Sequence, residues 1–188
     1  MTSRIAVVFA SRFGTTRLLA ERIAEGIREA GGQAALIDVA EGAADVADAD
    51  RIILLTAIIW DRPLAAMRRY LQQHGDAIRD RLLALGTVCG SAGVRPQGGL
   101  VYARQLAKRV AAPDVERFSL SGRIPPREAM ASWEWWALRL FASVFRKPQL
   151  FEIQPDEAGA RKIGAAAVAA AAGSAGQGWA MQARGGQQ

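Results

Sequence analysis

The chain has 188 residues, a single cysteine and a formal net charge of +6, and half of its residues are apolar. That length supports one domain with its own core, and one cysteine excludes an internal disulfide and agrees with a reducing cytoplasm. No stretch reaches the roughly 20 apolar residues of a membrane span, the six-residue apolar run near the N-terminus is too short for a signal peptide, and the positive charge argues against a small acidic electron carrier while favouring anionic partners.

Strand-like and helix-like patterns alternate along the sequence. Residues 4–10 read as a buried strand. Residues 15–30 read as a helix with Leu18, Leu19, Ile23 and Ile27 at helical spacing and Gly31-Gly32 as its stop. Residues 34–39 form strand two, and 51–57 form a continuous apolar strand three. A helix starts at Leu64 after Pro63 and breaks near His74-Gly75. Residues 87–90 form a short strand four, 99–110 a helix, 115–120 strand five, and 156–172 the last helix. Five strands interleaved with helices predict a doubly wound, three-layer parallel sheet. The domain spans 1–172 with an insertion at 123–148. The tail 173–188, rich in Gly, Ala, Ser and Gln, reads as disordered. The alanine-rich run from Ile163 to Gly173 is a helix former rather than an anchor.

Ligands of such sheets bind beyond the carboxyl ends of the strands. The first such loop is Ser11-Arg12-Phe13-Gly14-Thr15-Thr16. It offers three hydroxyls, a glycine and the unpaired N–H groups of a helix start, a neutral donor set that suits a phosphate. With no Walker lysine and no G-x-G-x-x-G, a monophosphate such as that of FMN fits better than an NTP or a dinucleotide. The same turn also reads as a plain helix cap by Ser11 or Thr15. The second loop, Ala57 to Pro63, presents Trp60, either as a flat stacking surface for a planar ligand or as an aromatic cover on the core. The third loop, Cys89 to Gly99, is glycine-rich and lets backbone approach a ligand, or is simply a flexible connection. Cys89 reads as a buried core thiol.

These three loops together resemble the flavodoxin superfamily. Ser11, Gly14 and Thr16 match its first-loop pattern. The chain is most similar to the flavodoxin-like, menaquinone-dependent protoporphyrinogen oxidase (dehydrogenase) family of heme biosynthesis. Trp60, the stretch Tyr102-Ala103-Arg104, and Ser121-Gly122-Arg123-Ile124-Pro125 opening an aromatic and basic insertion carry that similarity, which covers residues 4–172. The resemblance implies a five-stranded sheet in the order 2-1-3-4-5 and an FMN-dependent oxidoreductase passing electrons from an organic donor, protoporphyrinogen IX among the candidates, to a quinone. It places the cofactor against Ser11, Arg12, Phe13, Gly14, Thr15 and Thr16, then Ile58, Ile59 and Trp60, then Gly90, Ser91, Ala92 and Gly93. No nucleic-acid partner follows from it. An NAD(P)H:quinone reductase of the same fold is the alternative among enzymes, and Phe13 and Asp61, which depart from the family pattern, keep open a non-catalytic carrier or FMN-free binding protein.

The insertion holds the segment 132–147, with Trp133, Trp136, Ala137, Leu140 and Val144 on one helical face, widened by Trp135, Leu138, Phe141 and Phe145. Five basic and two acidic residues lie between Arg123 and Lys147. Tryptophan with flanking cations fits a helix lying in an anionic membrane surface, which would place the protein in the cytoplasm, peripheral to the inner face of the cell membrane. A homodimer contact or packing on the chain's own core fits the same face. His74, the one histidine, reads as a helix-end cation, and with one His and one Cys there is no zinc or triad constellation. A bound cofactor must then supply any chemistry. Arg12, Arg62, Arg95 and Arg104 are candidates for a carboxylated substrate or the cofactor phosphate. The remaining acids read as solvated helix faces.

Overall fold

The computed structural model describes residues 3–41, 46–94, 98–144, 146, 148–173 and 178–184. Strand β1 (Arg4–Ala10) leads into helix α1 (Thr15–Glu29), followed by β2 (Gln33–Asp38) and β3 (Arg51–Ile59). A two-residue strand β4 (Arg62–Pro63) folds back on β3, and α2 (Ala65–Ile78), β5 (Leu82–Cys89), the short α3 (Ser91–Val94) and α4 (Leu100–Arg109) follow. The chain then runs through β6 (Glu116–Ser121), α5 (Ser132–Val144), α6 (Glu157–Ala171) and α7 (Trp179–Arg184).

Strands β2-β1-β3-β5-β6 lie side by side in that order, all parallel, with β4 antiparallel to β3. Counting the five main strands alone, this is the expected order 2-1-3-4-5. Alternate residues of each strand point to opposite faces, so β1 supplies Ile5, Val7 and Phe9 to one core and Ala6, Val8 and Ala10 to the other. The first core closes under Leu19, Ile23 and Ile27 of α1 and Ile163 and Ala167 of α6. The second closes under Met67, Leu71 and Ile78 of α2 and Leu106 of α4. Both faces of a parallel sheet are thus covered.

Helices α1 and α6 approach until their backbones touch. A Cβ on Gly26 would sit 2.0 Å from the Arg161 carbonyl oxygen, and one on Gly164 would sit 2.0 Å from that of Ile23. Only glycine permits this separation. At the rim of the contact Arg22 bonds Glu157 at 2.7 Å and Arg161 bonds Glu25 at 2.7 Å.

Three sequence expectations are corrected. Helix α2 does not break at His74-Gly75 but runs on to Ile78. Gly75 is buried, and the apolar face of Met67, Tyr70, Leu71 and Ile78 continues past it, so packing overrides the glycine propensity. Strand four begins at Leu82 rather than Thr87, because the short apolar run Leu82 to Leu85 carries no period that separates strand from helix. The tail is not disordered over 178–184. Trp179, only 9% exposed, and Ala180 join the first core as part of α7, and the Gly178 N–H donates to Glu116 Oε2 at 2.9 Å. No helix among the described residues is long and apolar enough to cross a membrane.

Candidate functional site

The loops after β1, β3, β5 and β6 open at the same end of the sheet, the carboxyl end, where α/β sheets bind ligands. Between β1 and α1, Gly14 takes φ +84° and its N–H donates to Ser11 Oγ at 3.1 Å. A positive φ at this point suits glycine, and a Cβ there would meet nothing within 4 Å, so the space above the turn is open. Thr15 and Thr16 begin α1 with side chains turned inward, Thr16 only 2% exposed. The first-turn N–H groups of α1 lack intrahelical acceptors by geometry.

After β3 the chain reverses through Trp60 and Asp61, both at positive φ (+50° and +58°). A two-residue hairpin turn with both central residues at positive φ is of type I′, which favours Asn or Gly there. A tryptophan there is strained, at a cost of about 1–3 kcal/mol, and must be held by its surroundings. Asp61 accepts a hydrogen bond from the Tyr102 hydroxyl on α4. Burial and then this bond push the Tyr102 hydroxyl up to about 12. Trp60 stacks on Trp133 of α5, with ring centroids 6.1 Å apart and planes 15° from parallel.

After β5, Cys89 is buried, with Sγ 3.2 Å from Ser91 Oγ and 3.8 Å from Ser119 Oγ, as expected of a core thiol. After β6, Gly122 passes so close to Val88 that a Cβ would lie 2.7 Å from its Cγ1. From there the chain makes a long excursion carrying α5. Its two ends meet, since Ser121 Oγ donates to the Gln154 carbonyl at 2.8 Å and the Asp156 N–H donates to that of Ser121 at 3.2 Å.

The excursion folds back over the loops. Arg12 donates from Nη1 to Glu134 Oε1 at 2.8 Å and from Nη2 to Oε2 at 3.1 Å, and its guanidinium lies 4.6 Å from the Phe13 ring centroid. Glu134 is 3% exposed and also accepts from the Ala131 N–H at 3.2 Å. Burial pushes its carboxyl up, but Arg12, the Ala131 N–H and the Trp60 indole together hold it below the usual carboxylate range.

These parts enclose a cavity of about 210 Å³. Its floor is Ser11, Arg12, Phe13, Thr15 and Thr16, and one wall is Ile58, Ile59 and Trp60 with Val88, Cys89 and Gly90. The roof comes from the excursion: Gly122 to Pro125, Met130, Glu134, Leu138, Phe141 and Leu150. Nine of the thirteen residues picked from sequence line it. Gly14, and Ser91, Ala92 and Gly93 of α3, are not among the lining residues. Arg62 and Arg104 do not reach the cavity, and Arg95 is outside the described residues. The roof escaped sequence reasoning, although Arg123 and Glu134 stand in a segment whose composition had marked it out.

A parallel sheet of this order, with a hydroxyl-lined turn after its first strand, defines a flavodoxin-like α/β protein. A family model described as the flavodoxin domain matches residues 6–124, more than half of the chain, and the chain belongs to that family. The match stops where the excursion begins. No curated protein sequence matches. Among solved structures, the flavodoxin WrbA-like protein of Agrobacterium tumefaciens shares 19% identity over 93% of this chain and 100% of its own, with a TM-score of 0.54. Oxidised flavodoxin 1 of Bacillus cereus shares 21% over 77% and 98%, with a TM-score of 0.50. Rubredoxin oxygen:oxidoreductase of Desulfovibrio gigas shares 14% over 76% of this chain and 35% of its own, with a TM-score of 0.51. At these identities the likeness is one of fold.

Proposed function

We propose that the chain binds FMN in this cavity and acts as an oxidoreductase that passes electrons from an organic donor to a quinone. The observation behind this reading is the neutral donor floor of Ser11, Thr15, Thr16 and the α1 N-terminus, set against apolar walls and the Trp60 indole. The floor fits a phosphate: the turn is open above Gly14, and helix N-termini favour anions. Arg12 is committed to Glu134, and Arg17 to Asp38 and Glu41, so the phosphate would be met by hydroxyls and N–H groups. Trp60 would flank the ring system, and the backbone at Gly90 would face its polar edge. FMN, when bound, supplies the redox chemistry. The apolar side chains of Ile58, Ile124, Leu138 and Phe141 would exclude water and admit a flat hydrophobic reactant.

The resemblance to the menaquinone-dependent protoporphyrinogen oxidases extends this reading to a porphyrinogen donor. Arg123, exposed at the cavity roof, is the side chain best placed for a propionate. The net charge of +6 disfavours a simple acidic carrier. Titration of the purified protein with FMN tests the cofactor, with a flavin band at about 450 nm expected in the protein fraction. Anaerobic reduction by reduced porphyrin, NADH or NADPH, followed by reoxidation with a menaquinone analogue, tests the reaction. No retained flavin would overturn the reading. Reduction by NADPH alone would convert it to the NAD(P)H:quinone reductase alternative.

A further inference from the structure

We infer that the outer face of α5 docks onto an anionic phospholipid bilayer. This inference is independent of FMN binding. Trp133, Trp136, Leu140 and Val144 recur along one side of α5 and are 65%, 62%, 66% and 65% exposed. Apolar side chains this large, contiguous along three turns of one helix, are what membrane or partner contact leaves open on a free molecule. The opposite side of the helix is spent on the domain, through Glu134, Leu138 and Ala142.

The occupant is indicated by charge. Arg127 and Arg139 each place a guanidinium 5.0 Å from the same Trp135 ring centroid, and Arg146 shares with Arg139 the cleft walled by Trp135 and Phe151. All three arginines are exposed, and among the described residues no ion pair engages any of them. Three like charges gathered without a carboxylate repel one another unless an external anion joins them. Of the two acids in 123–147, Glu134 is buried on Arg12 and only Glu128 reaches the surface. An apolar stripe with a cationic edge matches an acyl-chain boundary beneath phosphate headgroups, whereas a self-complementary dimer would bring these arginines toward their own copies. The stripe also adjoins the cavity: Trp60 stacks on Trp133, and Phe141 is both partly exposed and a roof residue. A reactant dissolved in the bilayer would therefore meet the cavity without crossing water.

Sedimentation of the full chain with vesicles of phosphatidylglycerol and phosphatidylcholine tests this, beside vesicles of phosphatidylcholine alone. Binding to the anionic vesicles is expected, weakened by salt because the charges are exposed. The substitutions Trp136→Ser, Leu140→Ser and Val144→Ser made together should weaken it by about 100-fold. Arg139→Gln with Arg146→Gln should weaken it by about tenfold and reduce the preference for anionic lipid, Arg127 remaining. All five positions are exposed, so an unchanged circular-dichroism melt is expected and separates lost docking from lost folding. No sedimentation at low salt, or equal binding by the apolar variant, would overturn the inference. So would a stable dimer in analytical ultracentrifugation that ignores vesicles and becomes monomeric in the apolar variant, which would assign the face to a second copy.

Discussion

Arg12 and Glu134 stand 122 positions apart in sequence, yet the guanidinium of one meets both carboxylate oxygens of the other in a parallel two-bond fork. This fork ties the aromatic helix α5 to the turn after the first strand. Glu134→Gln keeps the shape and removes the charge. We expect a loss of about 1–3 kcal/mol, tempered by the partial exposure of Arg12, and faster tryptic cleavage within 123–148. Urea melts and timed proteolysis measure both. Cleavage unchanged from the parent would mean that the fork does not hold the helix.

The same carboxyl gives a pH signature. Its pKa is lowered in the folded chain, so its stabilisation is present above the unfolded value of about 4.3 and is lost as pH falls through the folded one. Tryptophan emission, sensitive to the Trp60–Trp133 stack, should shift in acid below about pH 4. The Glu134→Gln protein should show a flat profile over that range; an identical acid transition in both would assign it elsewhere.

Both tyrosines should resist ionisation. Burial raises Tyr70, and burial with the Asp61 bond raises Tyr102 to about 12. Absorbance at alkaline pH should therefore show little tyrosinate at pH 10, the usual midpoint being about 10. Since the folded values lie above the unfolded one, their stabilisation is complete below about pH 10 and is lost as pH rises through the folded values. Tyr102→Phe should release the Trp60-Asp61 hairpin, read as faster hydrogen exchange there.

The floor of the cavity predicts a discrimination between two flavins. Ser11→Asp sets a negative charge in the turn and should weaken FMN by about 100-fold while sparing riboflavin, which lacks the phosphate. Thr16→Glu should do the same, but Thr16 is buried, so the Ser11 variant is the safer measurement. Equal loss of both flavins would place the phosphate elsewhere.

At the contact of α1 with α6, Gly164→Ala would drive a methyl group into the Ile23 carbonyl. A loss of about 3 kcal/mol and a fall in Tm of about 6–12 °C is expected. A calorimetric scan with no change would show that the helices separate freely.

The sheet and the floor of the cavity are legible in the sequence because each has a strong local signal. Ile5 to Ala10 is a fully buried run, and three hydroxyls with a glycine follow where the helix begins. The roof is not legible. Glu134 looks like one more solvated acid in an aromatic helix until its partner arrives from the first loop. The Trp60-Asp61 reversal escapes notice because neither residue advertises a positive φ; the compensation comes from Tyr102 and Trp133, both remote in sequence. The second helix is misjudged at Gly75 because local propensity cannot register Val110 packing beside it.

Helix α7 has a practical consequence. Trp179 wedges in next to the outer strand β6, at the flank where the sheet would otherwise lie bare. A shortened version stopping at Gly173, the natural cut if the glycine-rich stretch is taken for a dispensable linker, would leave an indole-sized hole costing about 3–5 kcal/mol. Such a truncation should clump on concentration and melt early, and it would be the wrong starting point for crystals.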